Sequence, residues 1–251
     1  MRSFIAVLFS IAFSTFAMSA QAQIIIGAPQ TVLESSGNTA SSTTVYLGVS
    51  NNYMFQDFGF MASRSAVVQG GVTRSFGNGN FCDLWGSVGA GGSASEVDLS
   101  CWHDGKLGFF DYEVKGAYYF LSLGKDRIGD LRDDAFYAHL NVGHTFDLGG
   151  RWSVTPYARL EGVIGTSELP FQSVVRVIPA SVTYQATDWL TLQGEGGKVF
   201  CLSGNCYSPW YAGASGTIRF GEDVSLIGKY KPSTSQREDT SFSIEIDWKV
   251  N

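Results

Sequence analysis

The sequence predicts an all-β chain: a closed, antiparallel, up-and-down transmembrane β-barrel of about twelve strands, preceded by a signal peptide. Three observations predict it. Apolar and polar residues alternate through a succession of segments, each roughly ten residues long, the length that spans a bilayer as a tilted strand. The connections between them are alternately tight and long. The chain also opens on an export signal.

In that opening, Arg2 supplies the positive start and an apolar stretch runs from Phe4 to about Ala17. Ala20-Gln21-Ala22 then has the small-x-small pattern of a cleavage site. The stretch is shorter than the roughly 20 apolar residues a membrane-spanning helix requires. The expectation is a signal peptide over 1–22 cleaved after Ala22, a periplasmic N-terminal extension or linker over 23–42, and a barrel over 43–251.

The strand segments fall at about 43–53, 64–75, 80–90, 95–103, 108–121, 134–146, 151–164, 173–185, 189–199, 209–220, 223–231 and 240–250. In the last one, Phe242, Ile244, Ile246, Trp248 and Val250 share one parity, and Ser243, Glu245, Asp247 and Lys249 the other. In the fifth, Tyr112, Val114, Tyr118 and Phe120 oppose Asp111, Glu113 and Lys115. The turns "GNGN", "DGK", "DLGG", "ATD" and "GED" are built from residues that tolerate tight backbone geometry. The intervening connections, such as "MFQDFGFMAS" and "SLGKDRIGDLRD", are longer. Short turns at one end and long loops at the other, with an even strand count, mark a bacterial outer-membrane barrel. On that reading the apolar parity faces lipid. Trp248, Trp210, Tyr118 and Phe120 lie near strand ends on this parity, where aromatic girdles form. Pro156 and Pro179 sit inside predicted strands, so each implies a bulge or local break, and the parity of "SVVRVIPASV" is mixed.

Composition agrees. Charged residues make up 16% of the chain, below the ~25% of soluble domains. Gly (30) and aromatics (14%) are abundant, which favours strands over spanning helices. The net charge of −6 becomes −7 once Arg2 is removed, which argues against nucleic acid as a partner. Expected partners are outer-membrane lipid, the outer-membrane assembly machinery and small solutes. The chain ends on Asn251 with Trp248 displaced inward, whereas barrels of this class commonly finish on an aromatic.

The four cysteines lack metal-site spacing, and export permits disulfides. Cys82 and Cys101 fall roughly opposite each other in a hairpin, and Cys201 and Cys206 bracket the short "CLSGNC" loop, so both pairs are disulfide candidates, with free thiols as the alternative.

Sorted by parity, the charged residues place Asp83, Glu96, Asp98, Asp111 and Glu113 inward, with Lys115 the nearby base. Arg159 and Glu161 follow from the seventh segment. Glu195, Arg219, Lys229, Lys231, Glu245 and Asp247 come from the ninth to the twelfth. One wall is acidic and the facing wall mixed with bases, a field that would bias ion passage. Catalytic chemistry is not expected. His103 lies at a periplasmic turn and His144 on the outward parity. His139 faces inward beside Asn141, with Arg159 and Tyr157 as expected cross-strand neighbours and no serine. The pairs Glu96/Asp98 and Glu245/Asp247 read as a solvated polar face, and the "GNGN" and "GAGG" glycines as turn and strand residues. No metal or cofactor is expected.

The stretch "GVSNNYMFQDFGFMASRSAVVQGGVTRSFGNGNFCDLWGS" resembles the TorF-type family of outer-membrane β-barrel proteins. Ser50, Tyr53 and Phe55 match that family's first strand, Ala66, Gln69 and Gly70 its second, and Trp85, Gly86 and Ser87 its third. Gln56-Asp57 stands where the family has Arg-Gly, so nothing carries over for that arginine. The resemblance implies a barrel and small-solute passage, and no catalytic residues. The expected function is a narrow passive channel or facilitator. The alternatives are a non-conducting structural or surface-interaction barrel and a soluble secreted β protein.

Overall fold

The computed structural model describes residues 24–25, 41–51, 53–55, 60–63, 66–89, 95–120, 134–166, 171–204, 210–232 and 240–250. Their backbone is all β. Twelve strands form the wall: β1 Ser42–Ser50, β2 Val67–Gly77, β3 Asn80–Gly89, β4 Ser95–Leu107, β5 Phe110–Phe120, β6 Ala135–Gly143 continuing as Phe146–Gly149, β7 Trp152–Gly165, β8 Gln172–Gln185, β9 Leu190–Ser203, β10 Trp210–Phe220, β11 Val224–Lys231 and β12 Ser241–Val250. Each strand pairs antiparallel with the next, and β12 pairs with β1 from Val250↔Thr43 to Ser243↔Ser50. The sheet therefore closes on itself. Closure leaves no ladder edge unpaired, the condition for a sheet to lie in hydrocarbon.

Polarity is inverted relative to a soluble protein. Leu47, Val72, Leu84 and Leu99 are 46%, 43%, 55% and 50% exposed, while Glu96, Glu161, Arg176 and Lys231 are 1%, 2%, 3% and 2% exposed. This decides the facing of the alternation: the apolar parity is the outside. Large aromatics ring the outer surface near both strand ends. Phe76, Phe146, Trp152 and Trp248 lie at the end of the tight turns, and Phe120, Phe136, Trp210 and Phe242 at the end of the long loops. Two such girdles are the mark of a barrel anchored at both interfaces of a bilayer.

The two prolines act together. Thr155 pairs with Ser181, yet Tyr157 pairs with Ile178, so β8 carries one extra residue opposite Pro156. The other neighbour agrees: Val177 pairs with Lys198 and Ala180 with Gly196. The bulge at Ile178-Pro179 moves the inward parity of β8 from Gln172, Val174, Arg176 and Ile178 to Ser181 and Thr183. This is the source of the mixed parity in its sequence. On the other side of β7, Pro156 has no N–H to give to β6. The rung is held by the His144 N–H donating to the Pro156 carbonyl at 3.3 Å, and regular β6 structure lapses between Gly143 and Phe146 without a slip in register.

Several strand boundaries differ from expectation. Segment one stops at Ser50. Tyr53–Phe55 instead pairs with Phe60–Ser63 and, in parallel, with Ile24–Ile25, so the N-terminal extension contributes to a small separate sheet. Strand β4 runs on to Leu107, because Asp104, Gly105 and Lys106 keep their partners Glu113, Tyr112 and Asp111. The turn is therefore at Gly108, whose φ of 65° suits glycine, and not at "DGK"; His103 accordingly lies within β4. The "GNGN" turn stands as expected, with positive φ at Gly77, Asn78 and Gly79.

Cys82 and Cys101 are directly opposite on β3 and β4 and form a disulfide, with 4.0 Å between Cα atoms. They share the outward parity with Leu84 and Leu99, so the bridge lies on the outer face. Cys201 is also disulfide-bonded, and Cys206 lies outside the described residues.

Candidate functional site

The closed sheet turns one residue in two toward the barrel axis, and the inner face is where the ionisable side chains gather. On β3, Asp83 is buried and accepts hydrogen bonds from Tyr46 Oη at 2.8 Å and Thr73 Oγ1 at 2.7 Å. Tyr46 reaches it by lying across Gly71. A Cβ there would meet Tyr46 Oη at 2.5 Å, so the glycine makes the contact sterically feasible. On β4, Glu96 and Asp98 are buried near the long-loop end. On β5, Asp111 pairs with Lys106 at 2.8 Å, and Lys115 holds its ammonium 5.3 Å from the centre of the Trp102 ring.

A connected belt crosses the next strands. Glu113 contacts His139 Nε2; His139 Nδ1 lies 2.9 Å from Tyr137 Oη; and Tyr137 donates to Glu161 Oε2 at 3.1 Å. Tyr137 has a single O–H and so bridges His139 and Glu161 rather than donating to both. Glu161 Oε1 also lies 3.6 Å from Arg176 and 3.9 Å from Arg159. Arg176 sits 4.7 Å from the centre of the Tyr211 ring, and Lys231 lies over the same ring at 5.6 Å. Glu195 accepts from Tyr211 at 2.7 Å and from Tyr157 at 3.0 Å. Lys229 pairs with Glu245 at 3.4 Å.

Acids therefore predominate on β3–β5, and the inward bases other than Lys106, Lys115 and Lys249 lie on β7–β11, where they are mixed with Glu161 and Glu195. The inward residues read from parity take these places. Arg219 is exposed at the tight-turn end of β10, and Asp247 is half-buried on β12. Two readings need correction. His139 is opposite Glu161 and Lys115, not Arg159 and Tyr157, because the tight β6–β7 turn sets the register two residues further along. Glu96 and Glu245 are buried, so these carboxylate pairs are not a solvated face. Arg176 escaped parity sorting because the bulge just beyond it scrambles the alternation in "SVVRVIPASV". Trp85 and Trp102 also point inward and are buried. Their signal was present, since each shares the parity of an acid on its strand, Asp83 and Asp98. Among the described residues no group of three or more His, Cys, Asp or Glu could hold a metal ion.

Fold, girdles and charged interior together define a transmembrane β-barrel of the bacterial outer-membrane class. Known structures share the architecture. The KdgM porin, solved in complex with disordered oligogalacturonate, superposes with a TM-score of 0.56 at 9% identity, over 84% of this chain and 100% of that one. An outer-membrane channel from Pseudomonas putida F1 gives 0.52 at 10% identity, over 89% of this chain and 99% of that one. At such identities the likeness is one of fold. No family model and no curated protein matches the chain.

Proposed function

We propose that the protein is a narrow passive channel for small solutes across the bacterial outer membrane. The observation that carries this reading is the charge separation on the inner face. Asp83, Glu96, Asp98 and Glu113 stand on one wall, and on the other Arg159, Arg176, Lys229 and Lys231 are mixed with Glu161, Glu195 and Glu245. A transverse field of this kind orients dipolar solutes and biases ion passage in a water-lined lumen. Passage is passive and needs no catalytic group. The fold shared with porins and channels supports the reading, as does the resemblance to the TorF-type family carried by Ser50, Gln69 and the Trp85-Gly86-Ser87 run. Residues 1–22 belong to the same proposal as the cleaved export signal; Gln23 at the N-terminus of the exported protein is the check.

Reconstitution into planar bilayers tests it. Discrete conductance steps are expected, with cation preference reduced by Asp111→Asn and anion preference reduced by Arg219→Gln. No conductance over many insertions defeats the proposal, and unchanged selectivity in both variants means that these charges do not line the path.

One observation favours a second reading. The belt from Glu113 to Glu195 is buried and mutually bonded, as it would be in a filled, non-conducting structural barrel whose loops carry the role. An inert bilayer record from a correctly folded protein selects that alternative.

A further inference from the structure

Buried polar atoms are nearly always hydrogen-bonded, and each exception calls for a cause. On the inner face of β3 and β4 several exceptions adjoin. Ser87 Oγ, both carboxylate oxygens of Glu96 and Oδ1 of Asp98 are buried with no hydrogen-bond partner. Ser87 is directly opposite Glu96, and Glu96 and Asp98 are successive inward residues of one strand. The three side chains are 4%, 1% and 6% exposed. Two carboxyl groups and a hydroxyl thus share a patch in which no cationic side chain donates to them. Asp83, on the same wall, differs, since Tyr46 and Thr73 satisfy it. Of the inward bases of this wall, Lys106 is paired with Asp111, and Lys115 makes no ion pair within 4.0 Å among the described residues and lies against Trp102.

The missing element is a compact donor carrying positive charge. From this geometry we infer that Ser87, Glu96 and Asp98 form a binding subsite for the primary ammonium group of a small organic cation, near the long-loop end of the lumen. An ammonium has three N–H donors and no acceptor, one donor for each of the three side chains. The register places Trp85 and Tyr119 on either side of Asp98, so aromatic rings flank the site and suit a cation on steric and electrostatic grounds. Serine and carboxylate oxygens alone would also accept a hard metal ion, but such an ion demands six or more oxygens. This inference rests on the lumen being accessible to solutes and narrows the channel reading to amine-bearing ones.

The test uses the full mature protein folded in detergent micelles and needs no conductance. 1,4-Diaminobutane is titrated while tryptophan fluorescence, to which Trp85 contributes, and heat are recorded. Tetramethylammonium, which has no N–H, and Ca²⁺ are titrated in parallel. Saturable diamine binding is expected, weakened about tenfold or more by Glu96→Gln or Asp98→Asn, as loss of a charge-assisted hydrogen bond entails. Ser87→Ala weakens it about threefold, in keeping with one neutral hydrogen bond. Tetramethylammonium binds at least about tenfold more weakly than the diamine, having no donor to give. Without ligand, Glu96→Gln folds at least as well as the parent, since it removes one of two adjoining buried acids that no cationic side chain satisfies; a purely structural carboxyl group would give the reverse. Equal binding of tetramethylammonium, binding of Ca²⁺ alone, or no saturable diamine binding overturns the subsite. In the last case the two carboxyls pair with each other over a shared proton. A barrel that conducts but binds no diamine defeats this subsite only. One that binds the diamine but never conducts keeps the subsite and defeats the channel.

Discussion

Glu161 is the residue on which the basic wall depends. It lies 3.6 Å from Arg176 and 3.9 Å from Arg159, and it also accepts from Tyr137. Both guanidinium groups face the barrel interior on adjacent strands, opposite each other in register. Removing the carboxylate leaves two like charges facing each other without their shared counter-charge. Breaking a buried ion pair in this way costs about 3 kcal/mol or more. Glu161→Gln is therefore expected to lower the unfolding free energy from lipid vesicles, measured by urea titration, by about 3 kcal/mol or more. The double variant Glu161→Gln/Arg176→Gln is expected to recover part of the loss, since coupled neighbours are not additive. Strict additivity in that cycle would show that the two side chains do not interact.

At the level of the strand, the β8 bulge is the feature with the largest consequence. Side chains on a strand alternate with a period of two, so one residue inserted or removed exchanges its faces. The extra residue at Ile178-Pro179 lets Arg176 face inward on one side of the bulge and Ser181 on the other. Deleting Pro179 would bring Ile178 and Ser181 to the regular two-residue spacing, so β8 would pair without a bulge and both halves would keep their facing. The heat-modifiable, folded form is therefore expected to survive the deletion on gel electrophoresis, and Pro179→Ala, which keeps the residue count, should fold as well. Loss of the folded form in the deletion alone would show that the bulge is needed for more than the facing of these side chains. The alternation itself was legible in most strands, because lipid on one side and polar lumen on the other impose it residue by residue. In β8 it was not, because a bulge is a relation between strands and leaves only a disordered pattern and a proline in any one of them. The same limit explains His139. Its inward facing follows from parity, but its partners Glu113 and Glu161 follow from register, which the turns on either side decide.

Across the whole molecule, the governing fact is that the oily surface is outside. Leu84 shows what that entails: it is 55% exposed, opposite Val72 on β2 and Leu99 on β4. A soluble protein would lose little by exchanging such a residue for arginine. In a bilayer Leu84→Arg is expected to destabilise the barrel by about 2–4 kcal/mol, the cost of a cationic side chain near the membrane midplane. Reversible unfolding from vesicles measures it. No loss would mean that this face is not in lipid. Sequence alone determined a barrel of about twelve strands, the alternation of tight turns with long loops and the facing of Phe242 and Trp248, and it offered Cys82 and Cys101 as a candidate pair. These are properties of single strands and neighbouring hairpins, where a local chemical pattern suffices. Tertiary structure alone decided that β12 closes on β1, that Arg176 joins Glu161, that Tyr46 crosses Gly71 to reach Asp83, and that Ser87, Glu96 and Asp98 are left together without a cationic donor. Each of these depends on register between strands, whether neighbours such as β3 and β4 or the two ends of the chain, and a single strand's pattern does not carry register.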